Sequence, residues 1–340
     1  MNDSVVLKEA LSIPNKINDF LKLDNNPYDK VSNLIQNKKI KYIVTIARGT
    51  SDCAALYGSY LFAKYLGLPT YSMPPSIITL EKSNFNFSEA LVIVITQSGL
   101  SEDLIVCEAA ARKMGAKTII LSNNANSPIV NQVNYFFNMY AGEEKSVAAT
   151  KSFVLSLLII IKIVFFSLEK PKIQESIKEL GDFLLEDSHN QWNIDTVNNK
   201  VSNGFIISRG VGFAISNEIS LKFKELCQEM IEPFSSAEVM HGPKSLIQNS
   251  FKLFSLFIND NSGKTVIADS KNISNYTNLF YQISSNKNNS QSFYYKSFKL
   301  TDLDPIIIMS KFYPWIIKYS LKKGLDPDKP RYLTKVTKTF

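Results

Sequence analysis

Cysteine and histidine are scarce, with three Cys and two His among 340 residues. Cys53, Cys107 and Cys227 are too few and too irregularly placed for a disulfide framework or a cysteine metal site, and they fit a reducing, cytoplasmic setting. With His189 and His241 the only imidazoles, no metal centre is expected. No block of five or six like charges occurs. The net charge of +7 comes from scattered lysines and reads as a mild attraction for anions. No zinc-finger, RRM-like or arginine-rich pattern is present, so no nucleic acid partner is expected. Nor does any apolar run approach the roughly 20 residues needed to cross a bilayer. The greasiest, Phe153 to Phe166, is 14 residues long with Lys162 inside it, and reads as a buried helix rather than a membrane span. The opening MNDSVVLKEA mixes acid and base and is not expected to be a signal peptide.

The composition that remains, 45% hydrophobic and 20% charged, is that of a globular chain with a sizeable core. Its length suggests about two domains. Residues 1–38 read as polar helices punctuated by Pro14 and Pro27. Strands are expected at Ile40 to Ala47, Pro69 to Met73, Leu91 to Ile95, Thr118 to Ser122 and Tyr135 to Tyr140, with helices over Ala54 to Leu66 and residues 101–114. Strands alternating with helices in this way specify an α/β fold with a parallel sheet. Residues 167–196 read as a charged helical connector, and the pattern then restarts. Gly204 to Arg209 followed by Gly210 echoes the strand ending in Arg48-Gly49, 161 residues earlier. Phe251 to Ile258 is a further strand, 284–293 a surface loop rich in Asn and Ser, and Asp304 to Lys318 a final helix. The expected organisation is an N-terminal helical segment (1–30), a first domain (31–170), a connector (171–195), a second domain (196–323) and an irregular tail (324–340).

Two turns stand out in the first half. Leu91 to Ile95 runs into Thr96-Gln97-Ser98-Gly99, with Ser101 just beyond, at the start of a helix. Ile40 to Ala47 runs into Arg48-Gly49-Thr50-Ser51 in the same way. Hydroxyls and free amides at a helix N-terminus suit a phosphate. The Gly-x-x-x-x-Gly-Lys spacing of a nucleotide loop is missing, which favours a phosphate monoester on a small molecule. The ordinary reading of either turn is a helix cap. Both lie at strand carboxyl ends, where α/β sheets collect ligands. In the second half, Asn259-Asp260-Asn261-Ser262 lacks the Thr-Gln-Ser-Gly pattern, so only the first half carries the full anion-binding set.

A helix expected from Asn217 to Met230 places Glu218, Lys222 and Glu225 on one face. A carboxylate kept ionised by a lysine can abstract a proton beside a carbonyl; the ordinary reading is a solvated ion-pair face. His241 sits before Gly242-Pro243 in a turn, as an acid or base or as a structural histidine. His189 reads as exposed. Lys335, in the tail, has an amine able to meet a carbonyl, and would ordinarily do nothing.

Taken together, RGTSD (48–52), TQSGLSED (96–103), AGEEKSVAATKSF (141–153), LKFKELCQEMIEPFSSAEVMHGP (221–243) and KPRYLTKVTKTF (329–340) resemble the double sugar-isomerase (SIS) domain proteins. Within that family the resemblance is to the isomerase half of glutamine–fructose-6-phosphate aminotransferase and to stand-alone glucosamine-6-phosphate deaminases of the isomerase-like type. It implies two tandem SIS domains, each a flavodoxin-like parallel sheet flanked by helices. It implies that Gly49, Thr50, Ser51, Thr96, Gln97, Ser98 and Ser101 bind a sugar phosphate, with Val147 and Ala148 contacting the sugar through their backbone. The aminotransferases usually carry Ser at the position of Thr96 and Thr at that of Ser101, and both exchanges keep the hydroxyl. Glu225 matches the base that moves a proton between C1 and C2, beside Lys222. His241 matches the ring-opening histidine, donated by the neighbouring subunit of a homodimer. Lys335 matches a tail lysine that handles the open-chain ketose as the tail closes on the site. No cofactor is implied, since the substrate's own carbonyl is the electron sink. A chain starting at Met1-Asn2-Asp3 is expected to lack the glutaminase domain, and the tail phrase is nearer the deaminases. The expected reaction is therefore glucosamine-6-phosphate and water to fructose-6-phosphate and ammonia. Alternatives are another amino sugar phosphate (galactosamine-6-phosphate or a fructosamine phosphate), a pure aldose–ketose isomerase, and a non-catalytic sugar-phosphate sensor.

Overall fold

A computed structural model describes residues 4–287 and 292–335. The chain forms two compact units. One takes the described residues of Ser12–Asp182 and Thr334–Phe340, the other those of Met1–Leu11 and Phe183–Leu333.

In the first of these, five strands form a sheet: β1 (Tyr42–Ile46), β2 (Thr70–Ser72), β3 (Ala90–Ile95), β4 (Lys117–Ser122) and β5 (Tyr135–Asn138). Their order is β2-β1-β3-β4-β5, and every pairing is parallel. All six residues of β3 are buried, as expected for a central strand covered on both faces. The 14-residue apolar run lies in the helix Lys151–Ser167, of which only Lys162 and Phe166 are not buried. Lys162 is accommodated by an ion pair with buried Asp24 and by the Tyr28 ring, 4.8 Å away. The helices Ile13–Leu23 and Tyr28–Gln36 pack on this helix. No helix among the described residues is long and apolar enough to cross a membrane.

The other unit repeats the plan with β6 (Asn203–Ser208), β7 (Met230–Ser235), β8 (Lys252–Leu256), β9 (Leu279–Ser284) and β10 (Ser292–Tyr294). Read from its other edge the order is β7-β6-β8-β9-β10, again all parallel. The sequence echo is thus an echo of topology. Gly49 and Gly210 even share a backbone conformation, with φ of 54° and 60°. Beside Gly210, a Cβ would also stand 2.8 Å from the Ser262 hydroxyl.

Two expectations need correcting here. The helix carrying Glu218 runs Val211–Cys227, not 217–230. It stops at left-handed Gln228 (φ 54°), and Met230 opens strand β7. The expected loop at 284–293 is bracketed by strands β9 and β10, with 288–291 outside the described residues. The first helix, Val5–Leu11, belongs to this unit. Asp328 caps it, its carboxylate accepting from the amides of Val5 (2.9 Å) and Val6 (2.8 Å).

Candidate active site

The chain leaves β1 towards β2 on one side and β3 towards β4 on the other. The two strands are paired in register from Tyr42↔Ala90 to Ile46↔Val94. Their carboxyl ends therefore flank a topological switch point, where an α/β sheet opens a crevice. Both hydroxyl-rich turns sit there. Thr50 and Ser51 form the first turn of the helix Thr50–Leu61, after Gly49. Thr96 to Ser101 connects β3 to the helix Glu102–Lys113. Neither N-terminal residue, Gly49 or Ser101, makes a side-chain cap, so the ordinary helix-cap reading fails for Ser101. Two 12-residue helices thus start at neighbouring strand ends without a side-chain cap from their N-terminal residues. The one carboxylate that takes a first-turn amide there, Asp103 from Leu104 N at 2.9 Å, is paired with Arg48, which is an arrangement suited to an anion.

The turn after β3 is tightly constrained. Thr96 Oγ1 accepts from Gly99 N at 3.2 Å, and Ser98 Oγ accepts from Leu100 N at 3.2 Å. Asn124 Nδ2 donates to the Ser98 carbonyl at 3.0 Å, and Asn123 N to that of Gln97 at 3.1 Å. Gly99 has φ of 67°, and a Cβ there would stand 2.3 Å from Ser127 Oγ, so no other residue fits without strain. Arg48 and Asp103 join the two turns, with Nε 2.7 Å from Oδ2. The loop Ser122–Ser127 that braces the turn was not singled out in the sequence. Its only signal is a run of Asn and Ser after a strand.

The same unit holds Val147, Ala148 and Lys335. The loop 142–150 leads into the helix Lys151–Ser167, and Glu144 closes it. The buried Glu144 carboxylate accepts from Thr150 N (3.0 Å), Ser152 N (3.2 Å) and Ser152 Oγ (2.6 Å). Val147 is half-buried and Ala148 buried. Lys335 Nζ donates to the Ser146 carbonyl at 2.6 Å and lies 3.7 Å from Glu144 Oε2. The tail lysine, which alone would mean nothing, is therefore seated against the loop.

The other unit holds Glu218, Lys222, Glu225 and His241. Lys222 Nζ lies 2.7 Å from Glu225 Oε2 and 3.2 Å from Glu218 Oε1. The reading of this face as solvated is overturned: the side chains of Glu218 and Lys222 are 0% and 1% exposed, and that of Glu225 22%. The helix Asp304–Lys322 covers the face, and Tyr313 OH donates to Glu218 Oε1 at 2.8 Å. Burial pushes the Glu218 carboxyl up to about 7, against the opposing pull of Lys222. Burial works against the Lys222 charge, but the two carboxylates outweigh it and raise its pKa. Only Glu225 of the three has access to solvent, and so to a substrate. Tyr313 carries no signal in a sequence as apolar as its helix. His241 is exposed, at the end of the short turn Glu238–His241. His189 is also exposed, and no His/Cys/Asp/Glu group able to hold a metal occurs among the described residues.

Doubly wound parallel sheets with open helix starts at one switch point define an α/β protein suited to a small anionic ligand. The SIS domain family model matches residues 35–162. The glutamine–fructose-6-phosphate aminotransferase (isomerizing) of Methanothermobacter thermautotrophicus is 26% identical over 343 residues, covering 98% of this chain and 57% of that protein. The chain thus spans little more than half the length of such relatives. A Silicibacter pomeroyi DSS-3 protein provisionally assigned as a phosphosugar isomerase superposes with a TM-score of 0.85 at 26% identity, covering 96% of this chain and 100% of that one. Glucosamine-6-phosphate deaminase from Thermotoga maritima shares the fold, with a TM-score of 0.75 at 18% identity, covering 98% and 99%. Residues 35–162 thus match an SIS domain, and over nearly its whole length the chain is similar to a phosphosugar-isomerase-like protein and to the aminotransferase named above.

Proposed function

We propose that the protein converts glucosamine-6-phosphate and water to fructose-6-phosphate and ammonia. The observation that carries an enzymatic reading is Lys222, buried between two carboxylates of which only Glu225 is accessible. A sensor would need the phosphate turns alone, whereas burying a lysine between two carboxylates is costly to fold, and the one carboxylate left accessible is placed to act as a base. In this reading Thr50, Ser51, Thr96, Gln97, Ser98 and Ser101 take the phosphate, and the Val147–Ala148 backbone contacts the sugar. His241 opens the ring, and its exposure suits donation to the site of a second subunit in a homodimer. Glu225 removes the C2 proton and returns it to C1. The C2 amine becomes an imine, water adds, and ammonia leaves. Lys335 handles the open-chain carbonyl.

The test is ammonia release from glucosamine-6-phosphate by the native protein and by Glu225→Gln. Removing a positioned base should cut the rate by about 10²–10⁴, with fructose-6-phosphate still bound. Interconversion of fructose-6-phosphate with glucose-6-phosphate, and no ammonia, would replace deamination with aldose–ketose isomerisation. Binding with no turnover of either would leave a sensor.

A further inference from the structure

We propose that Glu144 is a positioning residue that docks the C-terminal tail through Lys335. The proposal deepens the reading above, in which Lys335 meets the open-chain substrate. Glu144 does two things at once. Its carboxylate accepts three hydrogen bonds, from the amides of Thr150 and Ser152 and the hydroxyl of Ser152. These fix it at the N-terminus of a 17-residue helix, where the helix dipole favours a negative charge. The same carboxylate lies 3.7 Å from Lys335 Nζ, and its side chain is fully buried. The Lys335 ammonium also donates to the Ser146 carbonyl, one residue before Val147.

A rigid, buried carboxylate therefore meets a cation whose side chain is 27% exposed and which ends a described tail free of helix and strand. The carboxylate is held by the helix whether or not the tail is present, so it is the preformed half of the contact. Seating Lys335 on it also ties down the Ser146 carbonyl, and with it the backbone that leads into Val147 and Ala148. Docking of the tail and ordering of the sugar-contacting loop become one event. The neighbouring Glu143 does not share this role, since its side chain is 74% exposed and pairs with Lys145, itself 65% exposed.

Tail docking can be read without any substrate. Arg331 is exposed, and trypsin cleavage after it, followed by mass spectrometry of the native-length protein, reports how often the tail leaves its seat. Glu144→Gln keeps an acceptor oxygen for the helix amides and loses the charge. It should be cut at least threefold faster than the native protein, whereas Glu143→Gln should be cut at the native rate. Lys335→Met breaks the contact from the other side and leaves the helix cap intact, so it covers the case in which Glu144→Gln fails to fold. It should show the same acceleration, and the double variant should be no faster than either single one. Unchanged cleavage in both single variants, or accelerations that multiply, would overturn the docking. In the ammonia assay, Glu144→Gln should lower the rate at saturating substrate by at least tenfold, with little further loss in a Lys335→Met background. Full activity with an undocked tail would overturn the positioning role. An inactive native protein would instead sink the proposed reaction, while the cleavage arm would still decide the docking.

Discussion

Among single residues, Glu218 shows best how environment decides chemistry. Its spacing from Lys222 and Glu225 is that of a solvated ion-pair face, and nothing in the sequence distinguishes the two cases. Tyr313, 95 residues later, closes over it and supplies a hydrogen bond. Burial then holds the Glu218 carboxyl up to about 7, against an ordinary 4.5. The folded protein consequently binds more protons at this site than the unfolded chain does between those two values. The contribution of Glu218 to stability is therefore greatest at the acid end of that window and declines as pH rises through it. Unfolding free energies at pH 5 and pH 8 for the native protein and Glu218→Gln should differ accordingly. The native protein's advantage over the variant should be larger at pH 5, because an amide cannot titrate and other groups cancel in the difference. An advantage that is the same at both pH values would mean that Glu218 is not the proton-binding group.

At the scale of elements, legibility followed burial pattern. The interiors of strands β1, β3 and β4 are β-branched and aliphatic runs, and their positions could be read directly. Strand β7 could not, because Met230–Ser235 carries Pro233 at a sheet edge, where a missing ladder donor is tolerated. Strand β9 abuts an Asn- and Ser-rich stretch that reads as loop, although its pairing with β8 buries Tyr281 and Ile283. The turns of the first sheet were legible because hydroxyls, glycine and a following helix coincide in one short stretch. Their partners in space, Ser127 at Gly99 and Asn124 at Ser98, were not, since only the fold of β4 and its loop brings them near. The matching element of the second sheet is built differently. The Asp260 carboxylate accepts from Gly263 N at 2.7 Å and caps the helix Asn261–Ile273. Replacing it with alanine leaves the first amides of that helix open and should cost about 0.5–2 kcal/mol. Chemical denaturation would show this loss. Ammonia release at a temperature where the variant remains folded should equal the native rate, and a marked fall would place the second switch point in catalysis.

For the whole molecule, the repeated topology poses the question of how many ligands one chain holds. Both sheets have the strand order that opens a switch-point crevice, and both place a positive-φ glycine after an arginine at the end of the leading strand. Topology alone would allow two anion sites. The side chains break the symmetry. Where the first unit has Thr50 and Ser51, the second has Val211 and Gly212, which offer no hydroxyl. Where the first has the uncapped Ser101, the second has the Asp260 carboxylate already bonded to the helix start. A phosphate approaching there would meet the Asp260 charge at close range, whereas the first-turn carboxylate of the first unit, Asp103, is neutralised by Arg48 at 2.7 Å, and this difference disfavours binding in the second unit. One chain should therefore bind one phosphosugar. Calorimetric titration with fructose-6-phosphate should give a stoichiometry of one per chain, and Gly99→Ala, which strains the turn after β3, should abolish it. Two equivalents per chain, or one equivalent that survives Gly99→Ala, would move the anion site to the second sheet and remove the phosphate role from the Thr96–Ser101 turn.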